Sequence, residues 1–272
     1  MPIERACKAL SVRRTSYYRW RSAAPGSRAL RDARLKTQIR DVFFEHHSIY
    51  GARKIAHVLS QRGVRCSRRR VRRLMDEDGL MSVYRHRFCR TTDSNHSLPI
   101  APNLLARDFS PGAPNIVWVS DTTYIPTTEG WRYLCVVIDL YSRMVVGWAF
   151  SDRNDRRLVL DSYAMAFERR RPHEGLILHT DRGSTYCSHD VLAFLRSHKA
   201  RASMSRKGDP WDNACAETFF KAYKTEWVYP YEFPDAHGAL SRARYYIELF
   251  YNRKRPHQSL GYSSPFAFEQ TA

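Results

Sequence analysis

The chain has 272 residues and a formal net charge of +18, from 45 Lys and Arg against 27 Asp and Glu. A hydrophobic content of 43% with only 12 Gly and 13 Pro excludes collagen-like and disordered chains and is sufficient for a packed core. Residues 1–90 hold 23 basic and 7 acidic side chains, whereas residues 91–272 hold 22 and 20. This asymmetry indicates a basic, DNA-binding region joined to a second domain of nearly balanced charge.

The six cysteines are scattered and form no C-x-x-C pair, which is typical of reduced thiols rather than of disulfides or a zinc site. The first ten residues include Glu4, Arg5 and Lys8 and do not resemble a secretory signal. The apolar runs are also too short to span a bilayer. We therefore expect a cytoplasmic protein with no membrane partner.

Helical periodicity dominates the first ninety residues. Two short helical runs predict a small segment over residues 1–30 that is similar to a helix-turn-helix. A helix-turn-helix domain is predicted over residues 31–90. Its third helix starts after Ser67, which is suited to an N-cap, and turns Val71, Leu74 and Met75 inward.

The same third helix carries five arginines, which we predict to project outward. A solvated face is the ordinary outcome for a run of charge. An arginine-rich helix with a narrow apolar stripe, third in a three-helix unit, nevertheless favours a recognition helix in the major groove of DNA. The predicted DNA-binding arginines are Arg68, Arg69, Arg70, Arg72 and Arg73.

Residues 91–114 are polar and contain four prolines, and we interpret them as a linker. The remaining residues, 115–272, alternate strand-like and helical runs. Three antiparallel strands followed by strand–helix alternation predict a mixed α/β domain with a five-stranded sheet and helices on both faces. The predicted strands cover residues 116–125, 131–140, 144–150, 176–179 and 202–205, and the predicted helices cover 155–170, 188–198, 212–227 and 235–251.

Three carboxylates of this second domain are placed where chemistry is expected. Asp121 interrupts an otherwise buried strand, Asp181 closes a later strand at the carboxyl edge of the sheet, and Glu217 lies on a helix. Any one of them has an ordinary structural explanation. Together they supply the oxygen ligands that hard divalent cations such as Mg²⁺ require.

At this point the sequence resembles a known family. The spacing leaves 35 residues between Asp181 and Glu217, and a helix-turn-helix precedes the acidic residues. The chain is similar to the DDE transposases of two-reading-frame bacterial insertion sequences, the OrfB-type product, whose core is similar to retroviral integrase. The motifs that carry the resemblance are VWVSDTTY, HTDRGSTY, WDNACAETFFKAYKTE, YIELFYNRKRPHQSLGY and YGARKIAHVLSQRGVRCSRRRVRRLMDEDGL.

The resemblance implies a ribonuclease H-like fold with Asp121, Asp181 and Glu217 as the metal-binding, catalytic triad. It implies two Mg²⁺ ions, replaceable by Mn²⁺, and phosphoryl transfer without a covalent protein intermediate. The implied partners are double-stranded DNA at the element ends and at the target, and at least one further copy of the chain. The family also implies an upstream-frame protein or fusion, and a bacterial, nucleoid-associated location.

Other polar residues near the triad have two explanations each. Lys221 and Lys224 follow Glu217 by four and seven positions and are predicted to contact DNA phosphates, although exposed helix lysines are usually only solvated. Asn213 is predicted to contact DNA, and with Trp211 it could instead shape the preceding loop. For Asp139 and His179 we favour structural roles over metal coordination.

Two other functions are compatible with these motifs. The first is a DNA-binding regulator or assembly protein whose integrase-like core is catalytically silent. The second is a nonspecific metal nuclease, which shares the triad but gives no reason for the arginine-rich helix. Joining of specific DNA ends distinguishes the transposase from both.

Overall fold

The computed structural model describes residues 2–22, 26–83, 100–206 and 210–271 of the chain. The chain divides into two compact units, Met1–Val83 and Tyr84–Ala272. In the part of the chain so described, no helix is both long enough and apolar enough to cross a membrane.

The first unit is entirely helical in its described residues. Two short helices are followed by three longer ones that pack on each other, with Leu35, Ile39, Ile55, Leu59 and Val71 buried between them. Ser67 is the predicted N-cap of the third: its side chain accepts a hydrogen bond from the Arg70 amide at 3.3 Å. The helices are α1 (Ile3–Ala9), α2 (Arg14–Ser22), α3 (Ser27–Glu45), α4 (Ala52–Gln61) and α5 (Arg68–Glu77).

The second unit is built on a five-stranded mixed sheet, as the sequence predicts. The sheet has the strand order β3-β2-β1-β4-β5; β1, β2 and β3 are antiparallel neighbours, whereas β4 runs parallel to β1 and to β5. The strands are β1 (Val117–Thr127), β2 (Gly130–Asp139), β3 (Val145–Ser151), β4 (Ile177–Thr180) and β5 (Arg201–Met204).

The first three strands follow one another without a helix between them. After β3, helices alternate with β4 and β5. The single long helices predicted to begin at 212 and 235 are each composite, since an α-helix passes into a π-helical segment. The sequence pattern does not predict the short C-terminal helix. The helices are α6 (Arg156–Arg170), α7 (His189–Ser197), α8 (Ala214–Tyr223) continued by the π-helical Lys224–Val228, α9 (Ala236–Arg244) continued by the π-helical Tyr245–Tyr251, and α10 (Pro265–Thr271); 3₁₀ turns cover Pro210–Asn213 and Gln258–Leu260.

One face of the sheet packs on α6 through a continuous apolar core. Trp118 of β1 is fully buried and meets the ring of Phe167 edge to face, with centroids 5.3 Å apart. Gly147 allows α6 to approach β3, because a Cβ atom there would lie only 2.3 Å from the Ser162 carbonyl oxygen. Asp155 caps α6 by accepting from the amides of Arg157 and Leu158. This apolar core holds the start of the central strand β1 through Trp118.

The second half of the stretch interpreted as a linker lies against this unit. The amide of Leu104 donates to the Ser203 hydroxyl at 2.8 Å, and the Arg143 side chain donates to the Phe109 carbonyl at 2.9 Å. Residues 84–99 lie outside the described residues. The boundaries of the four predicted segments stay a prediction.

Candidate active site

Asp121 lies on β1, and Asp181 directly follows the neighbouring parallel strand β4. The last paired residues of β1 and β4 are Val119 and His179, and each aspartate follows its paired residue by two positions. Side chains two apart on a strand share a face, and neighbouring strands are about 4.8 Å apart. The two aspartates are therefore neighbours across the β1–β4 pair, at the point where β4 ends.

Backbone amides fix both aspartates. The Thr122 amide donates to Asp121 Oδ1 at 2.7 Å, and the Gly183 amide donates to Asp181 Oδ1 at 2.9 Å. Thr122 is itself held by a 2.9 Å hydrogen bond between its hydroxyl and the Tyr186 hydroxyl. Tyr186 is a positioning residue that the sequence does not reveal, since no local pattern links it to a strand 64 residues earlier.

Glu217 comes from the first turn of α8, which packs against β1. Its carboxylate is half-buried and close enough to Asp181 to be influenced by its charge. Burial, and then the Asp181 charge, raise the pKa of Glu217. The third predicted carboxylate thus lies within electrostatic range of Asp181.

The electrostatics of Asp121 identify one shared acidic site. Burial raises the pKa of Asp121 well above its usual range, and the charges of Asp181 and then Glu217 raise it further, against the hydrogen bond from the Thr122 amide and a smaller effect of the Lys224 charge. Mutual repulsion of this kind is expected where like charges lack enough positive charge nearby. As they lie, the side chains do not form a closed ligand set: within the described residues no three acidic, histidine or cysteine side chains are grouped closely enough to hold a metal ion.

The two predicted lysines differ in their surroundings. Lys224 is partly buried, with its ammonium 4.0 Å from the centre of the Tyr124 ring, and its charge lowers the pKa of Asp121. Lys221 is exposed on α8. Lys224 is therefore tied to the acidic site through Asp121.

Asn213 is buried rather than presented to solvent. Its side-chain amide donates to the Ser120 carbonyl at 3.4 Å, which ties the start of α8 to β1 next to Asp121. The adjacent Trp211 is 68% exposed. The structure gives Asn213 a structural contact, and its predicted DNA contact is untested.

Asp212 is a buried carboxylate that sequence analysis missed. It accepts hydrogen bonds from the Arg206 amide and side chain, from Arg107 at 3.0 Å and from Asn103 at 2.9 Å. These bonds, with Arg206 first, hold the pKa of Asp212 well below its usual range. Asp212 therefore fastens the segment before α8, and no local signal distinguishes it from an exposed first-turn aspartate.

Asp139 and His179 have structural contacts. Asp139 accepts from the amides of Asn115 at 2.8 Å and Tyr141 at 2.9 Å. The His179 ring is buried, with its two nitrogens 2.8 Å and 3.1 Å from the hydroxyls of Ser203 and Ser205. Burial lowers the pKa of His179 to about 4.

The five arginines of α5 do not all project outward, which corrects the sequence prediction. Arg70 and Arg73 turn toward α3, where both donate to the carboxylate of Asp32, at 2.8 Å and 2.7 Å; Arg73 also pairs with Glu77. Helical geometry places positions 70 and 73 beside the buried stripe, so these two arginines face the neighbouring helix. The arginines that remain exposed are Arg68, Arg69 and Arg72.

Comparison with known proteins identifies the family. A family model described as "Integrase core domain" matches residues 111–210, a second with the same description matches residues 198–265, and an "HTH-like domain" matches residues 29–88. The chain is 41% identical over 264 residues to the "Insertion element IS600 uncharacterized 31 kDa protein" of Shigella sonnei, covering 97% of each chain. It is 37% identical over 269 residues to the "Transposase InsF for insertion sequence IS3A" of Escherichia coli, covering 98% of this chain and 93% of the relative.

The solved structures include the same fold. A simian T-cell lymphotropic virus intasome, determined in complex with the PP2A regulatory subunit B56 gamma, matches with a TM-score of 0.51 and 15% identity, over 86% of this chain and 75% of that one. The second unit thus has the ribonuclease H-like integrase fold, preceded by an all-helical region that matches the helix-turn-helix model. Together with the sequence relatives, these findings show that the chain belongs to the OrfB-type insertion-sequence transposases, which are DDE polynucleotidyl transferases.

Proposed function

We propose that this transposase catalyses metal-dependent cleavage and joining of DNA strands at the ends of an insertion sequence, using Asp121, Asp181 and Glu217. One observation carries the proposal. Three carboxylates come from a strand, a strand end and a helix, and burial followed by their mutual charges raises the pKa values of Asp121 and Glu217. A cation bound among them would remove that repulsion.

The donor set fits magnesium. Mg²⁺ takes carboxylate oxygens and keeps positions for water and phosphate oxygens, which suits three carboxylates at an open sheet edge. Two ions, for which Mn²⁺ would substitute, polarise the attacking and leaving oxygens when bound.

The chemistry is an in-line substitution at phosphorus. The oxygen of water, or of a DNA 3′-hydroxyl, forms the new bond to phosphorus while the bond to the leaving 3′ oxygen breaks. The attacking group releases its proton to solvent, and the leaving oxygen takes one up. Thr122 and Gly183 hold the two aspartates for this step, and Lys224 contacts a neighbouring phosphate.

The proposed partners follow from the substrate. The exposed arginines of α5 contact double-stranded DNA, because phosphate contacts and base edges both favour guanidinium groups. Bringing two element ends to one target requires at least two copies of the chain. An upstream-frame protein, or a fusion with it, completes the proposed assembly.

Substitution of each carboxylate tests the function. Asp121→Asn, Asp181→Asn and Glu217→Gln should each abolish cleavage and joining of a duplex element end in Mg²⁺ or Mn²⁺, measured on denaturing gels, and leave DNA binding intact. Asp161→Asn, at an exposed carboxylate of α6, is the matched control and should behave as the parent. Near-normal joining by any triad variant would refute the assignment. A parent chain that binds DNA and metal but does not cut even when fused to the upstream-frame protein would favour the silent-core regulator.

A further inference from the structure

A row of three partly exposed side chains lies on the β1–β2 hairpin and at the end of α8, the elements that also carry Asp121 and Glu217. Trp131 is 53% exposed and meets the ring of Tyr124 edge to face, with centroids 5.0 Å apart. The Lys224 ammonium lies 4.0 Å from the centre of the same Tyr124 ring. The row thus presents an indole, a phenol ring and an ammonium group, each beside the next.

The strand register gives the length of this row. Tyr124 is three residues beyond Asp121 on β1, and Trp131 pairs with Pro126, five residues beyond it. At about 3.4 Å per residue, these positions lie about 10 Å and about 17 Å along the strand from Asp121. Stacked nucleotides repeat at about 3.4 Å per strand, so the row matches about three to five nucleotides.

The chemistry of the row is that of a nucleic-acid strand. Indole rings stack on any base, and a lysine beside them neutralises a phosphate. The Tyr124 ring attracts the ammonium and limits where it can go, because cations are drawn to the face of an aromatic ring. Lys224 follows Glu217 by seven positions, about two turns of α8, so the two side chains lie on the same face of the helix.

We propose that Trp131, Tyr124 and Lys224 form a binding surface for a single DNA strand that is unpaired next to the reacting phosphate. Trp131 stacks on an unpaired base, Lys224 contacts a phosphate, and Tyr124 is a positioning residue that holds Lys224 in place. The surface deepens the proposed function and rests on it, since it presupposes that DNA is handled at this acidic site.

Trp131→Ala tests the stacking contact in the full chain. The probes are a plain duplex and the same duplex with an unpaired 3′ tail of about five nucleotides. Fluorescence anisotropy without divalent metal should show roughly 5-fold to 100-fold weaker binding of the tailed probe and less than about 2-fold change for the plain duplex. Tyr229→Ala removes another exposed aromatic of the second unit and should change neither. Equal losses on both probes, or no loss, would overturn the proposal.

A double-mutant cycle tests the role of Tyr124. Tyr124→Phe keeps the ring and should bind the tailed probe as the parent does, whereas Tyr124→Leu should weaken binding as much as Lys224→Ala. The double variant Tyr124→Leu, Lys224→Ala should be no weaker than Lys224→Ala alone, because both changes remove the same interaction. Additive losses, or a defect in Tyr124→Phe, would contradict the positioning role.

These measurements stay separate from the catalytic test. Binding is measured without metal, so a preference for the tailed probe that depends on Trp131 supports the surface even if the triad variants retain cleavage. Conversely, triad variants that lose cleavage support the proposed function even if Trp131→Ala binds both probes normally.

Discussion

Asp32 in the first unit and Asp121 in the second are the same chemical group in opposite surroundings. Asp32 accepts hydrogen bonds from Arg73 and Arg70, which lower its pKa. Burial and the charges of Asp181 and Glu217 raise the pKa of Asp121. The basic unit thus uses acidic residues to fix its helices, whereas the acidic site leaves negative charge in excess. Uncompensated charge of this kind is typical of a site that binds an ion.

The largest expected effect is on the salt dependence of DNA binding, and it should distinguish the exposed arginines of α5 from the two that bind Asp32. Replacing Arg68, Arg69 and Arg72 together by Ala should reduce the slope of log affinity against log salt for duplex DNA. The expected reduction is about 0.9 for each phosphate that these arginines neutralise in the parent. Anisotropy titrations of the full chain at several salt concentrations measure this slope.

Arg70→Ala and Arg73→Ala are the contrasting variants. Because these side chains fix Asp32, their removal should lower the thermal midpoint of unfolding while the salt slope changes less. Arg34→Ala, on the exposed face of α3, should change neither. An unchanged slope in the triple variant would mean that α5 is not the DNA-binding helix.

A buried base in the second unit gives a pH prediction. The pKa of His179 is about 4 in the folded chain against an ordinary value of 6.5, so the unfolded chain binds the proton first. The stabilising contribution is therefore complete above pH 6.5 and is lost as the pH falls toward 4, by about 3 kcal/mol. Urea unfolding at pH 7 and near pH 4 should show this loss, and His179→Gln should flatten it. An equal acid loss in the variant would assign the effect to other groups.

The two aspartates should respond to neutralisation with opposite signs. Without divalent metal at neutral pH, Asp121→Asn should raise the thermal midpoint, because a carboxyl with a raised pKa destabilises the fold as pH rises and it ionises. Asp32→Asn should lower the midpoint, because a lowered pKa stabilises the fold above the ordinary value of 3.8. Calorimetry in a buffer that contains a metal chelator measures the thermal midpoint of unfolding of both variants. Shifts of the thermal midpoint in the same direction would contradict the electrostatic difference inferred between the two aspartates.

The smallest effect concerns the two lysines after Glu217. Lys224→Ala should reduce joining while the thermal stabilisation by Mn²⁺ is retained, since Lys224 acts on substrate placement. Lys221→Ala should stay close to the parent, because substitutions at exposed helix positions usually change the free energy of unfolding by less than about 0.5 kcal/mol. Equal defects would show that both lysines contact DNA.

Local patterns predict what depends on local spacing. The strand-like run around Asp121 locates the sheet, whereas the 35-residue interval between Asp181 and Glu217 indicates the candidate triad through the resemblance to the transposase family. The Ser67 cap is also predictable, because an N-cap acts within its own helix turn. These features need no knowledge of distant residues.

Contacts between distant residues are not predictable in this way. Arg70 finds Asp32 at a separation of 38 residues, and Asp212 holds Arg107 across 105. The row from Trp131 to Lys224 joins a hairpin to the end of a helix. Nothing in the periodicity of either partner specifies such pairs, so the sequence alone indicates only an outward arginine face and an exposed lysine.

The π-helical segment Lys224–Val228 begins at the lysine whose charge acts on Asp121. A π-turn accommodates one more residue than an α-turn. Up to Lys224 the side chains follow the α-helical repeat of about 3.6 residues per turn. Beyond Lys224 the extra residue of the π-turn changes the direction of Glu226, which pairs with Arg255 at 2.7 Å and accepts a hydrogen bond from Tyr246 at 2.9 Å. A one-residue deletion within 225–228 would restore a regular helix and leave Glu217 and Lys224 in phase with each other. The same deletion would turn everything after it by about 100°. Insertions and deletions in related chains are therefore expected to avoid this segment, which overlaps the end of the motif that carries Glu217.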